Sequence, residues 1–188
     1  MLSHVFFGMT GYHLLGCFVI YSMGGWLVES IYMSICEKKL TNRGFGLGPF
    51  CPIYGVGAIV GYLIASPLAD RPLLLYFSCA IFATIFEYLV GIAMKKVLGE
   101  VWWDYNNKPA NFQGILCLES TLAWGFYGII VIRFLHLRVC GLISNIPIRI
   151  GAPVFFVILV LYAFDFLYHV LKVLGVIGDK DNPSKDLA

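Results

Sequence analysis

Residues 72–94 read Pro-Leu-Leu-Leu-Tyr-Phe-Ser-Cys-Ala-Ile-Phe-Ala-Thr-Ile-Phe-Glu-Tyr-Leu-Val-Gly-Ile-Ala-Met. The run contains one charged residue. As a helix it would rise about 34 Å, enough to cross a hydrocarbon core of about 30 Å. Four similar runs flank it, near 12–35, 50–66, 113–136 and 150–174. Short connections join them. The sequence therefore predicts an all-α fold, a polytopic membrane helix bundle of about five transmembrane helices.

The composition supports that reading. Of 188 residues, 60% are hydrophobic and only 13% charged, and the mean hydropathy is +0.83. A water-soluble domain of this size could not bury so much apolar side chain, so the lipid bilayer is the expected first partner. The net charge of +2 and the lack of a basic arm exclude a nucleic-acid partner. Residues 1–11 carry no Lys or Arg and do not form the n-region of a signal peptide. A single transmembrane domain is expected over 1–177, followed by a polar cytoplasmic tail at 178–188.

Orientation follows from Lys and Arg. Lys38, Lys39, Arg43, Lys95, Lys96, Lys108, Lys172, Lys180 and Lys185 fall on one side of five spans; Arg71, Arg133, Arg138 and Arg149 fall on the other. The richer side is expected in the cytoplasm, which places the N-terminus outside and the C-terminus inside. The order Glu29, Lys38-Lys39, Asn42, Gly44, Cys51 reappears as Glu87, Lys95-Lys96, Asn111, Gly114, Cys117. That order admits a parallel internal repeat of helix pairs. Within the second span, Gly57-Ala-Ile-Val-Gly61 is a small-xxx-small pattern suited to close helix packing.

Acids interrupt the apolar spans at Glu29, Glu87, Glu119 and Asp165. A carboxylate in the membrane is costly unless paired, protonated or facing water. With the spans as read, the three glutamates lie about 9 to 11 Å below the cytoplasmic boundary. They are expected to line one polar cavity there, with Arg43 at its mouth. If a metal is bound, Glu29, Glu87 and Glu119 are the candidate ligands; no cofactor is specified. The alternative is that each Glu bonds Tyr, Ser, Trp or backbone on a neighbouring helix. Asp165 and His169, four apart on one helix face with Lys172 three later, admit a proton relay; snorkelling of His169 and Lys172 to the cytoplasmic interface is the simpler reading.

Two long loops could roof that layer. Residues 41–55 read Thr-Asn-Arg-Gly-Phe-Gly-Leu-Gly-Pro-Phe-Cys-Pro-Ile-Tyr-Gly, a composition suited to re-entrant backbone covered by protein. Residues 102–114 combine Trp, Tyr, Asp and Asn. The six cysteines form no C-x-x-C pair, so metal-finger spacing is absent. Cys51 and Cys117 end the two loops and read as buried small hydrophobes rather than nucleophiles.

Trp26-Leu-Val-Glu29, Gly48-Pro-Phe-Cys-Pro-Ile-Tyr-Gly55, Glu87-Tyr88, Trp103-Asp-Tyr105 and Asn111-Phe-Gln-Gly-Ile-Leu-Cys-Leu-Glu119 together resemble the "Putative ABC-transporter type IV" family, also called CmpB-like, over about residues 25–134. The resemblance implies a permease in a bacterial cytoplasmic (inner) membrane. The matching positions are Glu29, Arg43, Pro49, Tyr54, Glu87, Trp103, Asp104, Asn111 and Glu119; all but Pro49 are taken as candidate binding residues.

The leading expectation is a membrane transport component that binds a small solute or ion near the cytoplasmic face. The sequence has no G-x-x-x-x-G-K-[ST] motif, so an ATPase would be a separate subunit. Five spans are few for a complete pore, which points to a homodimer or a partner subunit. The alternative is a membrane-embedded enzyme acting on a lipid or lipid-linked substrate through carboxylate or metal chemistry. Against it, H-E-x-x-H and G-x-S-x-G are both absent. A third reading is an adaptor whose polar layer only binds helices together.

Overall fold

The computed structural model describes residues 5–6, 8–99, 101 and 103–177; the tail expected at 178–188 lies outside them. A two-residue antiparallel pair, β1 (Val5–Phe6) and β2 (Met9–Thr10), leads into α1 (Gly11–Glu37). Thr10 caps α1 by accepting the His13 N–H at 3.3 Å. After α1 come α2 (Pro52–Ala65), α3 (Pro72–Leu98), α4 (Leu118–Ile130), α5 (His136–Ser144) and α6 (Ile148–Val173). A π-turn at Val131–Leu135 joins α4 and α5 into one continuous rod.

Four of these units are long and apolar enough to cross a membrane: Gly11–Glu37, Pro72–Leu98, Leu118–Ser144 and Ile148–Val173. Their outer faces carry large apolar side chains, among them Phe77, Ile81, Phe126, Phe156, Leu161 and Phe164, as lipid exposure requires. The interior is built from small clusters. The largest joins α1, α5 and α6 through Tyr12, Val19, Tyr21, Val139, Ile143 and Phe155.

The expected second span differs in kind from the others. Including the 3-10 turn at Ser66–Leu68 it is 17 residues, Pro52–Leu68, with a rise of about 25 Å, short of the core thickness. It also starts deep. The Cys51 N–H bonds the Ser22 carbonyl at 3.1 Å, and Ser22 lies about 22 Å before the end of α1 at Glu37. The chain leaving α1 therefore turns back along it before α2 begins. Residues 42–51 are this re-entrant segment, and their glycines let backbone lie close to neighbouring helices. A Cβ at Gly46 would collide with the Asp165 carboxylate, and one at Gly55 with Ser22 and Phe18.

The fourth span begins later than hydropathy suggests, at Leu118 rather than near 113. Gln113 and Gly114 both adopt left-handed backbone, at φ 57° and 68°. That geometry breaks the helix, and Cys117 starts a new one by accepting the Ser120 N–H at 3.3 Å. Like α2, α4 begins deep. Its Thr121 hydroxyl meets Thr84 of α3 at 3.1 Å, and Ile115 packs against Gly91.

Candidate functional site

The re-entrant segment at 42–51 and a second one at 103–117, which precedes α4, meet beside the deep N-termini of α2 and α4. Between them is a cavity of about 30 Å³, lined by Glu29, Cys51, Ile53, Tyr54, Glu87, Trp103, Tyr105 and Trp124. Its size suits a water molecule or a small ion.

Glu29 comes from α1, eight residues before its end, and its carboxylate is held from both sides. Arg43 donates from Nε at 3.1 Å and from a terminal nitrogen at 3.0 Å to the same oxygen, Oε1. The Tyr54 hydroxyl donates to the other oxygen at 2.7 Å. The segment carrying Arg43 is fixed in turn. The Arg43 N–H bonds Ser30 Oγ at 3.2 Å. Asn42 Oδ1 accepts from the Trp26 indole at 2.6 Å and from the Gly44 N–H at 2.9 Å. From α6, Asp165 accepts the Leu47 and Gly48 N–H groups at 3.2 and 3.0 Å.

Glu87 comes from α3 and is 4% exposed. It accepts from the Trp124 indole at 2.9 Å, the Tyr105 hydroxyl at 3.2 Å and the Ser120 hydroxyl at 3.4 Å. All three donors are neutral. Among the described residues, no cation forms an ion pair with Glu87. The two carboxylates share one feature. Tyr54 stands three residues after Cys51 and bonds Glu29; Ser120 stands three residues after Cys117 and bonds Glu87. Each acid thus meets the first turn of a helix that starts inside the bundle, where the helix dipole favours negative charge.

The structure thus brings together Glu29, Arg43, Tyr54, Glu87 and Trp103 of the residues singled out in the sequence. Trp103 supplies a wall and donates its indole N–H to the Ile115 carbonyl at 2.8 Å. Glu119 lies elsewhere. It is the second residue of α4, its side chain is 53% exposed, and it pairs with Lys108 at 2.8 Å. That hydrogen bond and the nearby negative charge raise the Lys108 pKa above its ordinary value. Asp104 and Asn111 shape the loop rather than the cavity. Asp104 accepts from the Asn106 backbone at 2.8 Å, and Asn111 donates to the carbonyls of Asn106 and Lys108 at 3.1 and 3.0 Å. Pro49 is exposed.

Tyr105, Ser120 and Trp124 were not singled out as binding residues from sequence. Ser120 and Trp124 lie one and five residues past Glu119. Placing the helix start at Cys117 makes them, rather than Glu119, the groups that face α3.

The sequence profile of the family described as "Putative ABC-transporter type IV" matches residues 16–170. The chain belongs to that family. The matched region contains every residue lining the cavity. No curated protein and no solved structure matches the chain. Family membership and the apolar helices together support a multi-pass membrane protein acting as a transport component, and membership in this ABC-transporter family suggests an ATPase partner.

Proposed function

We propose that this ABC-transporter-family protein is a membrane-embedded transport subunit that binds a small cation at Glu87, in the cavity between its two re-entrant segments. The observation that carries the reading is the contrast between the two acids. Glu29 has Arg43 to neutralise it, whereas Glu87 is buried among neutral donors. A carboxylate in that setting takes up a proton or a cation. The hydroxyl oxygens of Tyr54 and Tyr105, bonded to Glu29 and Glu87, offer further neutral oxygen ligands beside the cavity. The volume favours a small inorganic cation or ammonium over an organic solute.

Helices that start inside the bundle, next to acids and irregular backbone, are features of transporter binding sites. Glu29 and Arg43 then form a neutral pair beside the occupied site. A separate ATPase subunit supplies ATP hydrolysis, and a second copy or another membrane subunit completes the pathway. With the orientation expected from the Lys and Arg distribution, the cavity lies nearer the cytoplasmic side of a bacterial inner membrane.

Trp103 and Trp124 line the cavity, so their fluorescence reports its occupancy. Purified protein in nanodiscs, titrated with sodium, potassium and ammonium chlorides at constant ionic strength, should give a saturable change with at least one cation. Glu87→Gln should abolish that change. A wild-type protein that responds to none of the three, or a Glu87→Gln variant that responds equally well, would overturn the reading.

A further inference from the structure

A second group of chemically distinctive side chains lies away from the cavity, near the opposite end of the bundle. Cys17 of α1 and His136 and Cys140 of α5 place their ligand atoms within 4.8 Å of one another. Cys17 is fully buried, His136 is 2% exposed, and Cys140 is half-buried. We propose that Cys17, His136 and Cys140 form a three-ligand site for a soft divalent cation of the zinc class, which clamps α1 to α5.

Two of the three ligand–ligand separations match a coordination polyhedron, and the third is within 4.8 Å. The two sulfur atoms are 3.9 Å apart, and Cys140 Sγ lies 3.4 Å from His136 Nε2. A tetrahedral zinc with Zn–S of about 2.3 Å and Zn–N of about 2.0–2.1 Å requires separations of about 3.8 Å and 3.6 Å. Admitting the ion requires at most a shift of about 1 Å to bring Cys17 and His136 to that S–N separation. His136 and Cys140 are one turn apart and present both ligand atoms on one helix face.

The imidazole is also oriented for the task. His136 Nδ1 is 2.9 Å from the Tyr21 hydroxyl. A metal-binding histidine commonly donates its second ring N–H to such a partner, which fixes the tautomer and frees the other nitrogen. Here Nδ1 faces the Tyr21 hydroxyl and Nε2 faces the Cys140 thiol. Tyr62 stacks on the imidazole at 3.6 Å between centroids and fixes the ring plane. His136 directly follows the π-turn at Val131–Leu135. A π-turn adds a residue to the helix and rotates the succeeding turns by about 100°. That rotation brings His136 and Cys140 round to α1.

Charge favours a divalent ion. Binding releases one proton from each thiol to solvent, so two thiolates, a neutral imidazole and M²⁺ sum to zero inside the bundle. Thiolate and imidazole donors select zinc-class or copper(I) ions over calcium or magnesium, and copper(I) would leave a net negative charge. His13 and Ser144, hydrogen-bonded at 2.9 Å, sit one turn nearer the end of the bundle and mark the access route.

The test uses full-length protein, purified under reducing conditions, stripped with a chelator, and titrated with Co²⁺ and then Zn²⁺. Wild type should take up one Co²⁺ per chain with thiolate-to-cobalt charge-transfer absorption, and Zn²⁺ should displace it. Cys17→Ser and Cys140→Ser should each lose that absorption, while Cys36→Ser, at an exposed thiol, should keep it. Tyr21→Phe retains all three ligands and should bind about 10- to 100-fold more weakly, so the proposal does not depend on a ligand variant folding. Wild type without the charge-transfer band would overturn it. So would a Tyr21→Phe affinity equal to wild type, or a Cys17–Cys140 disulfide that persists in reductant and excludes the metal.

Discussion

The backbone N–H of Cys51 bonds the carbonyl of Ser22 at 3.1 Å, in the middle of α1. That bond fixes the depth at which α2 begins and so determines where the acidic cavity can form. It brings Tyr54 to Glu29 and makes the second pass through the bundle part extended chain and part helix.

Packing at the start of α2 should accordingly be intolerant of bulk. A Cβ on Gly55 would collide with Ser22 and Phe18. One on Gly57 would meet Phe86 at an ordinary 3.5 Å. Gly55→Val should lower stability by about 1–3 kcal/mol, while Gly57→Ala should change it little. Thermal unfolding in one detergent would compare them. Equal melting temperatures would show that α2 does not seat against α1 in this way.

The re-entrant segment should be released by loss of its anchor on α6. Asp165 accepts two backbone N–H groups from the segment, and hydrogen bonds to a charged group are worth about 1.5–3 kcal/mol each. Trypsin applied from the cytoplasmic side should cut slowly at Arg43 in wild type and markedly faster in Asp165→Ala. Unchanged cleavage would mean that other groups hold the segment.

Much of this architecture is legible in sequence, and its failures have physical causes. Apolar length located the four long helices, because membrane crossing sets that length. Hydropathy could not place the start of α4. Ile115, Leu116 and Cys117 read as helix, whereas left-handed backbone at Gln113 and Gly114 makes them the end of a loop. That shift separates Glu119 from the cavity and substitutes Ser120 and Trp124. Gly57 and Gly61 face the rings of Phe86 and Phe82 with room for an added Cβ at 3.5 Å, so the close helix packing read from their spacing is not what the two glycines provide. The grouping of Cys17 with His136 and Cys140 was invisible, since more than a hundred residues of chain separate it and no short spacing marks it.

The Arg43–Glu29 pair should behave as a coupled unit. Its side chains are 16% and 22% exposed, so removing one partner leaves a largely desolvated charge. Arg43→Ala should destabilise the protein by about 3 kcal/mol. Glu29→Gln in the same chain should recover part of that loss, because it removes the orphaned charge. A double-mutant cycle by chemical unfolding measures the coupling. Additive losses would indicate two independent residues.

Orientation is testable at Cys36, an exposed thiol one residue before the end of α1. With the N-terminus outside, this end of α1 faces the cytoplasm. A variant keeping Cys36 as its sole cysteine should resist a membrane-impermeant maleimide in intact cells and react after permeabilisation. Labelling in intact cells would invert the topology.

The sharpest contrast is between two glutamates that the sequence alone treats alike. Glu87 is buried, bonded to three neutral donors and lines the cavity. Glu119 is half in solvent and paired with Lys108 on the surface, an interaction worth at most about 1 kcal/mol. Substitution by Gln keeps size and much of the hydrogen bonding in both cases, so the comparison isolates the charge. Glu87→Gln should abolish cation-dependent fluorescence while leaving membrane insertion intact. Glu119→Gln should leave both within error of wild type, as should Lys108→Gln. If Glu119→Gln impaired binding as severely as Glu87→Gln, the binding site would extend to the loop surface, and the cavity between the two re-entrant segments would be only part of it.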